Sequence, residues 1–151
     1  MIVMSGPLPT ARVARHFNIP PERLFEAWLD TSVIGQWMFG PNVRDEQIVS
    51  LSNDPRVGGK FSFVVRRQAN ELDHVGTYKE ITRPYRLVFS WGVAIAGKSD
   101  GETLVAIDIK PHEKGSELIL THELAPNWAN FTEQAAQAWA KMFDALSKNV
   151  T

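Results

Sequence analysis

Cysteine is absent from all 151 residues. That excludes disulfides, thiolate nucleophiles and cysteine-ligated metals, and it suits a reducing compartment. Long apolar runs are missing too; none approaches the ~20 residues of a membrane-spanning helix. The opening MIVMSGPLPT has neither the charged region nor the sustained apolar stretch of a secretory signal, so a cytoplasmic protein is expected. An excess of one charge is lacking as well, since the net charge is −1. The densest basic cluster is Arg66-Arg67, which reads as a solvated strand end. A nucleic-acid partner would call for a basic patch, and none is visible. His16, His74, His112 and His122 show no metal-ligand spacing, so neither a metal nor another cofactor is expected. Gly58-Gly59 lacks the Lys-Ser/Thr context of a phosphate loop, and there is no Gly-x-Ser-x-Gly elbow.

What is present is aromatic surface. Five Trp and eight Phe in a chain that is 44% apolar predict a core dominated by rings. The length fits one domain, placed at residues 10–151 after a flexible segment, 1–9, rich in Gly and Pro. Thr10–Asn18 alternates, with Ala11, Val13, Arg15 and Phe17 on one face, and reads as a strand. Pro20-Pro21 ends it, and Pro21 suits a first helical turn, where its missing N–H costs nothing. Leu24, Phe25 and Trp28 then fall at helical spacing. Asp30-Thr31-Ser32 closes that helix and caps a second short one, Val33–Met38.

Strand and turn signals follow from Val43 to His122. Strands are expected at Glu46–Leu51, Lys60–Arg67, Asp73–Ile81 (broken at Gly76), Arg86–Gly92, Glu102–Lys110 and Ser116–His122. Helical period returns at Asn130–Lys148, with Asn130 as N-cap. Its apolar stripe is Phe131, Ala135, Ala138, Trp139, Met142, Phe143 and Leu146. The order predicts an α+β domain: an antiparallel sheet of about six or seven strands, two short helices after the first strand, and a long C-terminal helix. Val13–Phe17 and Phe61–Val65 should share one sheet, and the last helix should cross its concave face.

Three segments carry a resemblance. RHFNIPPERLFEAWLDTSVIGQW (Arg15–Trp37, then Gly40-Pro41), DPRVGGKF (Asp54–Phe61) and HVGTYKEITRPYRLVFSW (His74–Trp91) together resemble the activator-of-heat-shock-chaperone-ATPase homologue family. That family belongs to the START-like (SRPBCC, helix-grip) superfamily, and the match runs from about Val13 to Leu146. The resemblance implies a curved antiparallel sheet gripping the C-terminal helix, with a cavity between them. It does not imply one function, because relatives bind apolar small molecules, act as cyclases or stimulate a chaperone ATPase. Two positions depart from the family pattern: Ile19-Pro20-Pro21 replaces the usual Ala-Pro, and Ala138 stands where glycine commonly precedes the last helix's Trp. The added methyl of Ala138 bears on the width of the cavity.

The candidate ligand-binding residues are Trp37, Phe61, Phe63, Tyr78, Phe89, Trp91, His122, Trp139 and Phe143. Apolar walls with few polar groups suit an apolar or aromatic small molecule, with Tyr78 and His122 giving orientation. The competing reading is a packed core, and a lone His is more often a satisfied, half-buried residue. Trp28 is expected to pack the first helix onto the sheet rather than to bind. Arg56 could clamp a carboxylate, but pairing with Asp54 to fix the turn is the simpler reading. No catalytic pair stands out. A chaperone-directed surface would be favoured by exposed aromatics around Trp37-Met38-Phe39, and a cyclase- or hydrolase-like enzyme by a coupled pair such as His122 with a carboxylate or Tyr. Either a monomer or a homodimer is compatible with the sequence.

Overall fold

The structure, a computed structural model, describes residues 8–99 and 101–150. Residues 1–7 of the expected flexible segment lie outside them. Strand β1 (Thr10–Phe17) leads into α1 (Pro21–Glu26), whose first helical position is Pro21. Helix α2 (Thr31–Trp37) starts at Asp30, which accepts from the Ser32 amide at 3.0 Å and from its hydroxyl at 2.7 Å. These bonds hold the Asp30 carboxyl below its usual pKa. Six strands and one short segment follow: β2 (Gln47–Asn53), β3 (Lys60–Arg67), β4 (Asn70–Thr82), β5 (Arg86–Ile95), β6 (Lys98–Ser99), β7 (Thr103–His112) and β8 (Gly115–Glu123). A 3₁₀ turn (Pro126–Phe131) then opens onto α3 (Thr132–Val150).

All pairings are antiparallel, in the order β1-β8-β7-β5-β4-β3-β2, with β6 paired to β5. The sheet is curved, and the 19 residues of α3, ~28 Å of helix, lie along its concave face. This is the helix-grip architecture that the resemblance implies, built on the element order that the sequence predicts. Alternation along the strands decides which residues face α3: Phe61, Phe63 and Val65 from β3, Leu87 and Phe89 from β5, and Val105, Ile107 and Ile109 from β7 are all buried. Helix α3 answers with Trp139, Met142, Phe143 and Leu146. Trp28 bridges the layers, its ring centroid 4.7 Å from Trp37, 5.9 Å from Trp139, 6.0 Å from Phe143 and 6.1 Å from Phe89.

Several boundaries move. The gap left between the expected strands Lys60–Arg67 and Asp73–Ile81 shrinks to Gln68-Ala69, because Gln68 takes a positive φ of 57° and closes a tight hairpin. Strand β4 therefore starts at Asn70 and runs unbroken through Gly76. That glycine permits close approach: a Cβ there would overlap the Ser90 carbonyl oxygen and the Phe61 ring. The irregularity of β4 falls instead between Tyr78 and Glu80, where the register with β5 shifts. Helix α3 starts at Thr132, not at Asn130, and Phe131 is exposed rather than part of the buried stripe. The cause is the 3₁₀ turn, whose three-residue period does not continue the 3.6-residue phase of the helix. Phe131 contacts Trp128 instead, with centroids 5.1 Å apart. The Asp54–Gly59 turn follows the simpler reading, with Arg56 Nε donating to Asp54 Oδ2 at 2.7 Å at an exposed site.

Candidate ligand pocket

The space between sheet and helix is unevenly filled. At its centre, Trp28, Met38, Phe61, Phe63, Tyr78, Phe89 and Trp91 surround a void of only about 10 Å³. That is about the room one water needs. The buried Trp28 Nε1–H has no hydrogen-bond partner among the described residues. Toward one end the packing opens into a pocket of about 230 Å³. Phe39, Trp91, Trp139 and Met142 make its apolar walls, Ala135 and Ala138 of α3 form one side, and Arg44, Arg67, His74 and His122 add polar groups. The ring walls are close-set: Phe39 to His74 at 4.6 Å, His74 to Trp91 at 5.4 Å and Trp91 to Trp139 at 5.3 Å.

Burial holds both histidines neutral, and their hydrogen bonds fix different tautomers. Trp139 Nε1–H donates to His122 Nδ1 at 3.2 Å. Nε2 must then carry the ring proton, and it donates to Thr103 Oγ1 at 2.7 Å, whose own hydroxyl donates to the Trp91 carbonyl at 3.1 Å. Burial pushes the His122 pKa down to about 4. Its two nitrogens are thus occupied by Trp139 and Thr103. His74 Nδ1–H donates to the Phe63 carbonyl at 3.0 Å. This leaves Nε2 as an acceptor with no protein partner among the described residues. Burial pushes the His74 pKa down to about 4, and the charges of Arg67 and Arg44 act in the same direction.

The cationic side of the pocket rests on a buried carboxylate. Glu46 has a fully buried side chain. Its Oε2 accepts from the Gly40 amide at 2.9 Å and from Arg44 Nη1 at 2.8 Å. Its Oε1 accepts the fork of Arg67, Nε at 3.1 Å and Nη2 at 2.8 Å. Burial alone would raise the pKa of Glu46, but the Gly40 amide and the two guanidiniums outweigh it and hold the carboxyl below its usual range.

The nine sequence-derived candidates separate into three groups. Trp91, His122 and Trp139 meet at the pocket. Phe61, Phe63, Tyr78 and Phe89 surround the small central void, where the Tyr78 hydroxyl accepts from Asn53 Nδ2 at 3.1 Å. Trp37 and Phe143 lie wholly within the core, and Trp37 Nε1 donates to the Ala27 carbonyl at 3.0 Å. Sequence reasoning missed Phe39, Arg44, Arg67 and His74. Alternation along β4 carries a signal for His74, which shares a face with Tyr78 across Gly76. Nothing local joins Arg67 to Glu46, which is 21 residues away. Arg67 is therefore not the solvated strand end it reads as in sequence. Among the described residues no group of His, Asp or Glu could hold a metal ion, and no helix is long and apolar enough to cross a membrane.

Solved structures share the fold over nearly the whole chain. Protein CV1439 from Chromobacterium violaceum is 23% identical, with a TM-score of 0.78 over 94% of this chain and 96% of that one. Protein Ms6760 from Mycobacterium smegmatis is 14% identical, with a TM-score of 0.79 over 95% and 91%. CalU16 from Micromonospora echinospora is 20% identical, with a TM-score of 0.69 over 99% and 80%. At these identities the likeness speaks for the fold alone. Comparison with curated proteins gave no match. The model of the family described as activator of Hsp90 ATPase homolog 1-like protein matches residues 18–151. That span takes in both short helices, seven of the eight strands and all of α3 through Val150, and the chain belongs to that family.

Proposed function

We propose that the protein binds an apolar or aromatic small molecule in the pocket between the sheet and α3. The observation that carries this reading is the contrast within one interior. The centre is packed to about 10 Å³, while the end bounded by Phe39, Trp91, Trp139 and Met142 keeps about 230 Å³ open. Leaving apolar surface unfilled forfeits packing contacts, and a concave, mostly apolar site with a few polar groups is the form small-molecule sites take. The volume lies just below the ~300–1,000 Å³ usual for small-molecule sites, so a compact ligand fits best. Trp91, Trp139 and His122 serve as wall and frame, and the remaining candidates support the wall from behind. The segment Trp37-Met38-Phe39, whose exposure would have favoured a chaperone-directed surface, is buried instead.

The test is to fill the pocket from α3. Ala138 is exposed and lines the opening, so Ala138→Trp adds bulk without disturbing the core. The wild type should take up compact aromatic molecules, with changes at the indole N–H signals of Trp91 and Trp139 in NMR spectra. The A138W variant should lose this uptake at unchanged stability. Uptake that survives in the variant would place binding elsewhere.

A further inference from the structure

Resting on that pocket reading, the polar side of the site says what kind of molecule it takes. Arg44 and Arg67 line the pocket, and no carboxylate does so among the described residues. Glu46 sits behind them, fully buried, and offsets only one of the two positive charges. Its oxygens occupy Arg44 Nη1 and Arg67 Nε and Nη2. Arg44 Nη1 also reaches the Met38 carbonyl at 3.2 Å. Arg44 Nε and Nη2 and Arg67 Nη1 keep donors that no described residue accepts. Burial holds both histidines neutral and their hydrogen bonds fix the tautomers, so Arg44, Arg67 and Glu46 give the cluster a net charge of +1 beside an aromatic wall.

We propose that the ligand is a monoanionic carboxylate on a compact aromatic or apolar body, its carboxylate held by Arg44 and Arg67 and its body lying against Phe39, Trp91 and Trp139. One negative charge balances the cluster, whereas a phosphate dianion overshoots it. Guanidinium forks match carboxylate geometry, and Glu46 fixes both side chains before the ligand arrives. The free acceptor at His74 Nε2 remains for a hydroxyl or N–H on the ligand's body.

Matched pairs of probes test this by calorimetry: benzoate with benzamide, 2-naphthoate with 2-naphthamide, and 4-phenylbutyrate with its amide. In at least one pair the carboxylate should bind the wild type about tenfold or more tightly than the amide. That preference should shrink with added salt. In Arg67→Gln the preference should collapse while amide binding persists, and Arg67→Lys should be intermediate because it keeps the charge but loses the fork that Glu46 holds in place and with it the fixed position of the free donor. Thermal melts confirm that the variants fold, and the wild-type ratio stands without them. Inorganic phosphate should compete poorly, and strong competition by it would overturn the carboxylate assignment. Equal binding of acid and amide in every pair would overturn the anion proposal and leave the pocket reading intact. Binding unaffected by Ala138→Trp, or none by any probe up to about 1 mM, would overturn both.

Discussion

Replacing Glu46 with glutamine tests how the pocket's cationic side is built. The carboxylate accepts four hydrogen bonds, two on each oxygen, from the Gly40 amide, Arg44 and both arms of the Arg67 fork. A glutamine has the same shape but only one acceptor oxygen. Whichever way the amide is turned, its NH2 faces two donors, either Gly40 and Arg44 or the Arg67 fork. Two bonds are lost, and two guanidiniums are left without a counter-charge. Hydrogen bonds to charged groups contribute about 1.5–3 kcal/mol each, and breaking a buried pair costs about 3–5 kcal/mol. The Arg67 side chain is 37% exposed, so water recovers part of this. The expected loss for Glu46→Gln is about 3 kcal/mol, a fall of about 1–3 M in the urea midpoint at unchanged slope. The sign with pH follows from the depressed pKa of Glu46. Its contribution is present above the usual glutamate range and disappears as pH falls through the folded-state pKa. The gap between wild type and variant should therefore close in acid. A variant within about 1 kcal/mol of wild type at pH 7, or a gap that does not narrow as the pH is lowered, would refute the reasoning.

Further outcomes can be measured directly. His74 and His122, with pKa values pushed from 6.5 to about 4, should stay neutral at pH 6 in an NMR titration, and their contribution to stability should be lost as pH falls from about 6.5 toward 4, because the unfolded chain binds those protons first. A midpoint near 6.5 for either ring would show that it is not buried as described. Trp139→Ala should cost about 3–5 kcal/mol, since the ring is buried against Trp28, Trp91 and Phe143 and its loss leaves His122 Nδ1 without a donor; denaturant melts read this. Gly76→Ala should destabilise by more than the same change at an exposed turn, about 2 kcal/mol or more, because the new methyl overlaps the Ser90 carbonyl and the Phe61 ring. A neutral result there would mean that β4 and β5 are not paired in this register.

The sequence by itself determined the elements and their order. Proline at 20 and 21, Asp30 as a cap, the alternation of Phe61, Phe63 and Val65, and the spacing of Trp139, Met142, Phe143 and Leu146 are local signals, each readable within a few residues of its cause. It also indicated a ring-rich interior and placed Trp91, His122 and Trp139 among the binding candidates. The division of that interior into a packed centre and an open end was decided only in three dimensions, because a void depends on how Phe39, Trp91 and Trp139 meet from three distant segments. The same holds for charge. Arg67 reads as a solvated strand end until β2 and β3 pair and bring Glu46 beneath it, and Arg44 joins the same carboxylate only once the turn from Gly40 to Glu46 has closed. His122 likewise reads as a polar group on an apolar face, and only the fold brings Trp139 and Thr103 to its two nitrogens. Hydrophobic period is carried by neighbours in sequence, whereas a buried carboxylate gathering two arginines is carried by strand register, and register is a property of the folded sheet.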